Sequence, residues 1–528
     1  MLSGNITRIS PVRPVRMIQT TEIFDTAKRI RDGFQSWKNT FQMNLTKVLL
    51  DMAQEAKEQQ EISKNIRKLE KASDLSNKLG PKSTCMRGTR VQAINQIENW
   101  IDRRDGGTFW CRGMAGTGKS SLMATLHKRL TIQACDRLEN ESEAGEDDRT
   151  SVSARGASLA AFIRYDRNTK PSADKLIPTI AHSLCGLNPS IYPDIRTAIS
   201  RVVRDNQSVL DMSSSAREQF RLLLQRPLID IRGLLEDKPS LVIIVDGLDE
   251  CQVSNEMLAV LAEGFGPDLP FMRLIVSSRP HPDITSAFKA VPPSAQLYFD
   301  PLSKDANQDV QTYIRSRFQD IYKKAPALKS RCEALHAVEN FTLQAKGFFI
   351  WAVIVCNVIE RFPYESSLQR VLDTPSNVAV GSMIYKTVLD SIIADKNDNM
   401  ELKEHILELK QYIRDALVVI VANVATGEPI SVPTFKKVVA RRRGGLEPFS
   451  VLEMLGSVLQ VSDKGVIQPV HGTFFDFLQD KEKCGDDWYI DVEQEGPAVH
   501  FRLDAVEMGL DLDSPIVQNA YHALFPAA

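Results

Sequence analysis

At 528 residues the chain exceeds what one hydrophobic core supports, so several folded units are expected. Its 43% hydrophobic and 25% charged residues are ordinary for a globular protein, and 65 basic against 67 acidic residues leave no bulk attraction for nucleic acid or an anionic membrane. Eight cysteines without paired spacing fit buried reduced thiols rather than a disulfide framework or a zinc site, and the longest apolar run, residues 348–356, is too short for a membrane span.

Residues 1–21 contain Arg8, Arg13 and Arg16, with no acid before Glu22. The composition resembles a mitochondrial presequence, but Pro11 and Pro14 interrupt the amphipathic helix that import requires. The segment reads as a disordered leader on a cytoplasmic protein. Residues 22–75 are polar and helical. Phe41, Leu45, Val48 and Met52 repeat at four-three-four spacing, and Ile62, Ile66 and Leu69 resume the stripe after the polar run 54–61. This is a signalling or oligomerisation module or, more simply, a helix packing on the next domain; the stripe is too broken for a long coiled coil. Residues 78–84 (KLGPKST) read as a linker. An amphipathic helix follows, with Val91, Ile94, Ile97, Trp100 and Ile101 on one side.

Residues 108–126 (TFWCRGMAGTGKSSLMATL) organise the rest of the chain. Gly113, four residues, then Gly118-Lys119-Ser120 is full P-loop spacing, with an apolar strand before it and Leu122, Leu126 and Leu130 at helical spacing after it. Gly113, Gly116 and Gly118 let successive N–H groups of the loop, through Thr117 and Ser121, curl around phosphate oxygens. The following helix points its positive end at the same phosphates. Lys119 reaches the β- and γ-phosphates, and the Ser120 hydroxyl takes a position on Mg²⁺. The expected ligand is a purine nucleoside di- or triphosphate.

An acidic stretch, 136–149, reads as an exposed loop. A strand at 158–163 and helices at 173–184 and 231–235 come next. Residues 241–250 (LVIIVDGLDE) are the second anchor: five apolar residues form a strand buried on both faces of a parallel sheet. Asp246 follows at its carboxyl end, where such sheets place ligands, and suits the carboxylate that holds Mg²⁺. Asp249 and Glu250 lie close enough to orient an attacking water; alternatively they cap the next helix. A third strand, 271–277, ends in Ser278-Arg279-Pro280. Arg279 either approaches the γ-phosphate or pairs with the acids after Asp246.

These residues resemble the NACHT branch of the signal-transducing P-loop ATPases (the STAND class), in the form found in fungal NOD-like receptors and the nephrocystin-type N-terminal module. The resemblance rests on Cys85-x-x-Gly88-Thr89-Arg90, on 113–121, on Asp246-Gly247-Leu248-Asp249-Glu250-Cys251 and on Ser277-Ser278-Arg279-Pro280. It continues through Asp300-Pro301-Leu302, Lys346-Gly347-Phe348-Phe349-Ile350-Trp351-Ala352 and residues 417–478. It implies an α/β P-loop core with a parallel sheet, followed by helical and winged-helix subdomains. The implied boundaries are 1–80 for leader and helical segment, 81–300 for the nucleotide-binding domain, 301–400 for the helical subdomain, 401–482 for the winged helix and 483–528 for a tail without repeats. It further implies bound ATP or ADP with Mg²⁺, a winged-helix histidine, here His471, contacting the diphosphate, and nucleotide-dependent self-association. A further signalling partner would engage the N-terminal helical segment.

Arg441-Arg442-Arg443 tempts a DNA-binding reading, but a three-residue run beside two glycines is more simply a solvated loop. Trp110 and Trp351 read as core. The function implied is a switch, closed with ADP and open with ATP, reset by slow hydrolysis, in fungal non-self recognition or regulated cell death. A structural scaffold that holds nucleotide without turnover is the alternative. A metabolic kinase or motor would need an acceptor site or nucleic-acid surface that the sequence does not display.

Overall fold

The computed structural model describes residues 15–73, 80–103, 105–143, 156–166, 172–211, 214–373, 382–393, 400–427, 429–439, 448–462 and 464–525. Arg441, Arg442 and Arg443, residues 1–14 of the leader and much of the acidic stretch lie outside them. The chain divides into a unit of residues 1–67 and a larger one of residues 68–528.

The smaller unit is almost wholly one helix, α1 (Val15–Ala72), whose last residues belong to the larger unit. It starts directly after Pro14, so the leader expected to reach residue 21 gives way to helix seven residues earlier. The polar run 54–61 does not interrupt it, because Gln, Glu, Ala and Lys are strong helix formers.

In the larger unit, α2 (Val91–Asp102) buries Ile94, Ile97, Trp100 and Ile101 and leads into β1 (Thr108–Gly113). Val91, expected on the same side, is 49% exposed. After the P-loop, α3 spans Lys119–Glu143, and so runs through the start of the stretch expected to be a loop. Its Glu, Arg and Leu residues favour helix even on a polar surface. Strands β2 (Ala157–Arg164), β3 (Ser240–Asp246), β4 (Met272–Ser278) and β5 (Gln296–Phe299) complete a five-stranded sheet in the order β2-β3-β4-β1-β5. All pairs are parallel. Every residue of β3 and β4 is buried, as expected for central strands covered on both faces. Burying each aliphatic side chain there contributes about 1.5–3 kcal/mol.

Helices then dominate. One continuous core joins Val310 on the helix Lys304–Lys324 to Leu503 on the helix Val492–Glu507, passing through Phe349–Arg361, Met400–Ala425 and Val432–Val438. The segments expected as helical subdomain, winged helix and tail therefore share one hydrophobic interior. An antiparallel pair, β6 (Leu459–Val461) and β7 (Ile467–Pro469), follows the helix Pro448–Met454, within the segment expected as a winged helix. No helix among the described residues is long and apolar enough to cross a membrane.

Candidate nucleotide-binding site

The parallel register sets the site. β4 lies between β1 and β3, so the strand entering the P-loop and the strand ending in Asp246 deliver their carboxyl ends to one edge. β1 ends at Gly113, the chain turns, and α3 begins at Lys119. Gly116 and Gly118 take φ of +76° and +91°, conformations that side-chain-bearing residues rarely adopt. The turn thereby brings the loop to the N-terminal end of α3, whose free N–H groups and dipole favour an anion.

The loop carbonyls are engaged from several directions. Lys119 Nζ donates to the carbonyls of Gly113 at 2.7 Å and Met114 at 2.9 Å. The Thr117 hydroxyl also donates to Met114 O, at 2.9 Å. The Ile350 N–H donates to Gly116 O at 3.2 Å, and Arg90 Nη2 donates to Thr117 O. What remains to the loop for an anion is its N–H groups and the ammonium of Lys119 once it leaves the carbonyls. Burial lowers the Lys119 pKa to about 8, against the opposing pull of Asp249. A phosphate brought against Lys119 would offset that burial and favour the ammonium form.

The residue types fit Mg²⁺ as well. Ser120 Oγ, in the first turn of α3, donates to Asp246 Oδ1 at 3.2 Å, placing two hard oxygens side by side. Asp246 is held by the Ser277 hydroxyl, which donates to the same oxygen while accepting from the Gly247 N–H at 3.0 Å. Ser121 lies one residue further along α3, where its carbonyl accepts from Thr125.

Beyond Asp246 the acids and Arg279 form a compact group. Asp249 Oδ1 accepts the Arg279 N–H at 2.8 Å, and its Oδ2 lies 3.2 Å from Arg279 Nε. Arg279 Nη2 is 3.5 Å from Glu250 Oε1. Of the two roles the sequence leaves open for Arg279, the structure displays the pairing with the acids. Burial pushes the Glu250 carboxyl up, although Lys82 draws it down. Asp249 serves no helix cap: the next helix, Asn255–Glu263, is capped by the Ser254 side chain. Lys119, Ser120, Asp246, Asp249, Glu250 and Arg279 thus meet at one edge of the sheet.

His471 follows β7. Its Nδ1 pairs with Thr473 Oγ1 at 2.8 Å and accepts from the Thr473 N–H at 3.3 Å, while Thr473 Oγ1 also meets the Tyr385 hydroxyl at 2.8 Å. The P-loop contacts described from the helical part come instead through Ile350, at the start of the helix Phe349–Arg361.

Sequence reasoning assigned no site role to Arg90 or Ile350, although both fall in stretches that carry the resemblance. Arg90 has φ of 59°, is 9% exposed, and lies 4.8 Å from the Phe299 ring and 5.0 Å from the Phe349 ring. Its Nη1 is 3.7 Å from Asp309 on the helix Lys304–Lys324. A lone arginine before an amphipathic helix gives no hint of such a junction. Ser277 likewise stands out in the sequence only as part of the Ser277-Ser278-Arg279-Pro280 string.

Residues 88–279 match the family model for the N-terminal region of nephrocystin 3. Vegetative incompatibility protein HET-E-1 of Podospora anserina is 21% identical over 266 residues, which cover 50% of this chain and 17% of that protein. This chain therefore matches only a minor part of that relative's length. Among solved structures, ORC2 of Aeropyrum pernix, in ADPNP and ADP complexes, covers 82% of this chain and 97% of its own at 10% identity and a TM-score of 0.29. The Walker-type ATPase of Pyrococcus abyssi covers 76% and 99% at 12% identity and a TM-score of 0.30. At such scores the fold assignment rests on the strand order and the P-loop.

Proposed function

We propose that this chain, which carries a NACHT-type P-loop NTPase module of the nephrocystin 3 N-terminal kind, is a nucleotide-dependent signalling switch of the NOD-like receptor type. The observation that supports it best is the hydrogen bond from the Ile350 N–H to Gly116 O, which fastens the helical part of the chain to the phosphate loop. A ligand that reshapes this loop binds the fastened and released conformations unequally, and only such a difference shifts their populations.

In this reading ADP favours the closed arrangement and ATP the open one, which self-associates. The loop N–H groups and Lys119 bind the phosphates; Ser120 and Asp246 hold Mg²⁺, which neutralises phosphate charge when bound. Glu250, its carboxyl raised by burial, accepts a proton from the attacking water, while Asp249 and Arg279 fix its position. Slow hydrolysis resets the switch. His471 contacts the diphosphate in the closed state after exchanging its Thr473 partner. The match to a vegetative incompatibility protein supports a role in fungal non-self recognition or regulated cell death, which we place in the cytoplasm.

The test is the nucleotide released from purified wild type, Lys119→Ala and His471→Ala. The switch predicts about one equivalent of ADP in wild type, none in the lysine variant, and ATP with larger particles in the histidine variant. The same nucleotide and particle size in wild type and His471→Ala would overturn the switch in favour of a scaffold.

A further inference from the structure

The helix α1 exposes an apolar stripe that the nucleotide site does not use. Phe34, Trp37, Phe41, Leu45, Val48, Leu49 and Met52 are all exposed, Trp37 by 59% and Phe41 by 53%. The rings of Phe34, Trp37 and Phe41 form a ladder with centroids 5.9 and 5.4 Å apart. A long helix derives most of its stability from packing such a face, so a partner is required to cover it.

Two features of the sequence identify the partner. Part of the stripe is symmetric about Leu45: Phe41 and Leu49 lie four residues to either side, and Phe34 and Ala56 eleven, whereas Val48 and Met52 mirror Gln42 and Lys38. The large Phe34 on one side corresponds to the small Ala56 on the other. The charged residues fall in two blocks of opposite net sign on either side of Leu45. Residues 28–38 hold Lys28, Arg29, Arg31 and Lys38 against Asp32, whereas residues 51–61 hold Asp51, Glu55, Glu58 and Glu61 against Lys57. We propose that α1 pairs antiparallel with α1 of a second copy of this chain, centred on Leu45. That arrangement sets the basic block across from the acidic block twice. A parallel pair would set like charges and like rings together, which costs stability. A membrane surface would suit one half of the helix only, because the acidic block repels anionic lipid.

The pairing does not require nucleotide, so its failure and the failure of the switch are separable. Light scattering on the full-length chain, without added nucleotide, should give a dimer at micromolar concentration in both wild type and Lys119→Ala. Phe41→Asp combined with Leu45→Asp should raise the dissociation constant at least about a hundredfold. Orientation is read by mixing Phe34→Cys chains with Ala56→Cys chains under mild oxidation: the antiparallel pair gives the mixed 34–56 crosslink. A monomer, predominant 34–34 crosslinks, or binding to phosphatidylserine vesicles without dimer formation would overturn the proposal.

Discussion

Ile350 leaves no room for a side chain on Gly116: a Cβ built there would fall 2.2 Å from Ile350 Cγ2. The Gly116 carbonyl meanwhile accepts the Ile350 N–H, so the phosphate loop and the helix Phe349–Arg361 meet backbone to backbone. Glycine at this position does two things: it permits the positive φ and it permits the approach. Gly116→Ala should therefore separate the two elements, lowering stability by about 1–3 kcal/mol in urea melts. Adding Ile350→Ala should recover part of the loss, because the clash is removed although the φ strain stays. Equal melts for the single and double variants would refute that contact.

Arg90 joins the loop to the helical part by a second route, through Thr117 O, Asp309 and the Phe349 ring. Arg90→Ala would leave Asp309 without this cation and remove the guanidinium between two rings. The expected loss is about 2–4 kcal/mol, with faster protease cleavage between residues 300 and 350. Arg90→Lys should recover little, since an ammonium has neither the planar stacking face nor the fork. Full recovery by lysine would mean that charge alone matters.

The Lys119 pKa of about 8 lies below the ordinary 10.5, so between these values the unfolded chain binds more protons than the folded one. Nucleotide-free protein should accordingly gain stability as pH rises through this window, and the gain should vanish in Lys119→Met. Denaturant midpoints at either end of the window measure it. Phosphate binding should return the proton to Lys119, so calorimetry at pH 8 in buffers of different ionisation enthalpy should register proton uptake that fades towards pH 6.5.

Glu250→Gln removes the proton acceptor but leaves the loop, Ser120 and Asp246 intact. Nucleotide should remain bound while phosphate release in a single turnover falls about 10²–10⁴-fold. Asp246→Ala should instead weaken the magnesium dependence of binding. If Glu250→Gln hydrolyses at the wild-type rate, the base lies elsewhere.

Much of the site was legible locally. The P-loop spacing and the run 241–250 name their chemistry because phosphate and Mg²⁺ binding demand fixed residue types at fixed intervals on a strand–loop–helix unit. The apolar strands announce themselves because a doubly covered sheet tolerates little else, as β3 and β4 demonstrate. The start of α1 was less legible, since residues 15–21 carry no apolar periodicity that marks them as helix.

What only the tertiary structure decided is which distant groups meet. Arg279 and Asp249 are thirty residues apart in the chain, and their pairing follows from β3 and β4 lying adjacent in one sheet. Gly116 and Ile350 come from different folded parts, and neither residue type advertises the other. Sequence spacing encodes contacts within a helix turn or a strand end; contacts across a core depend on how every intervening element packs. The sequence thus determined the phosphate chemistry of this protein, and packing determined what that chemistry is fastened to.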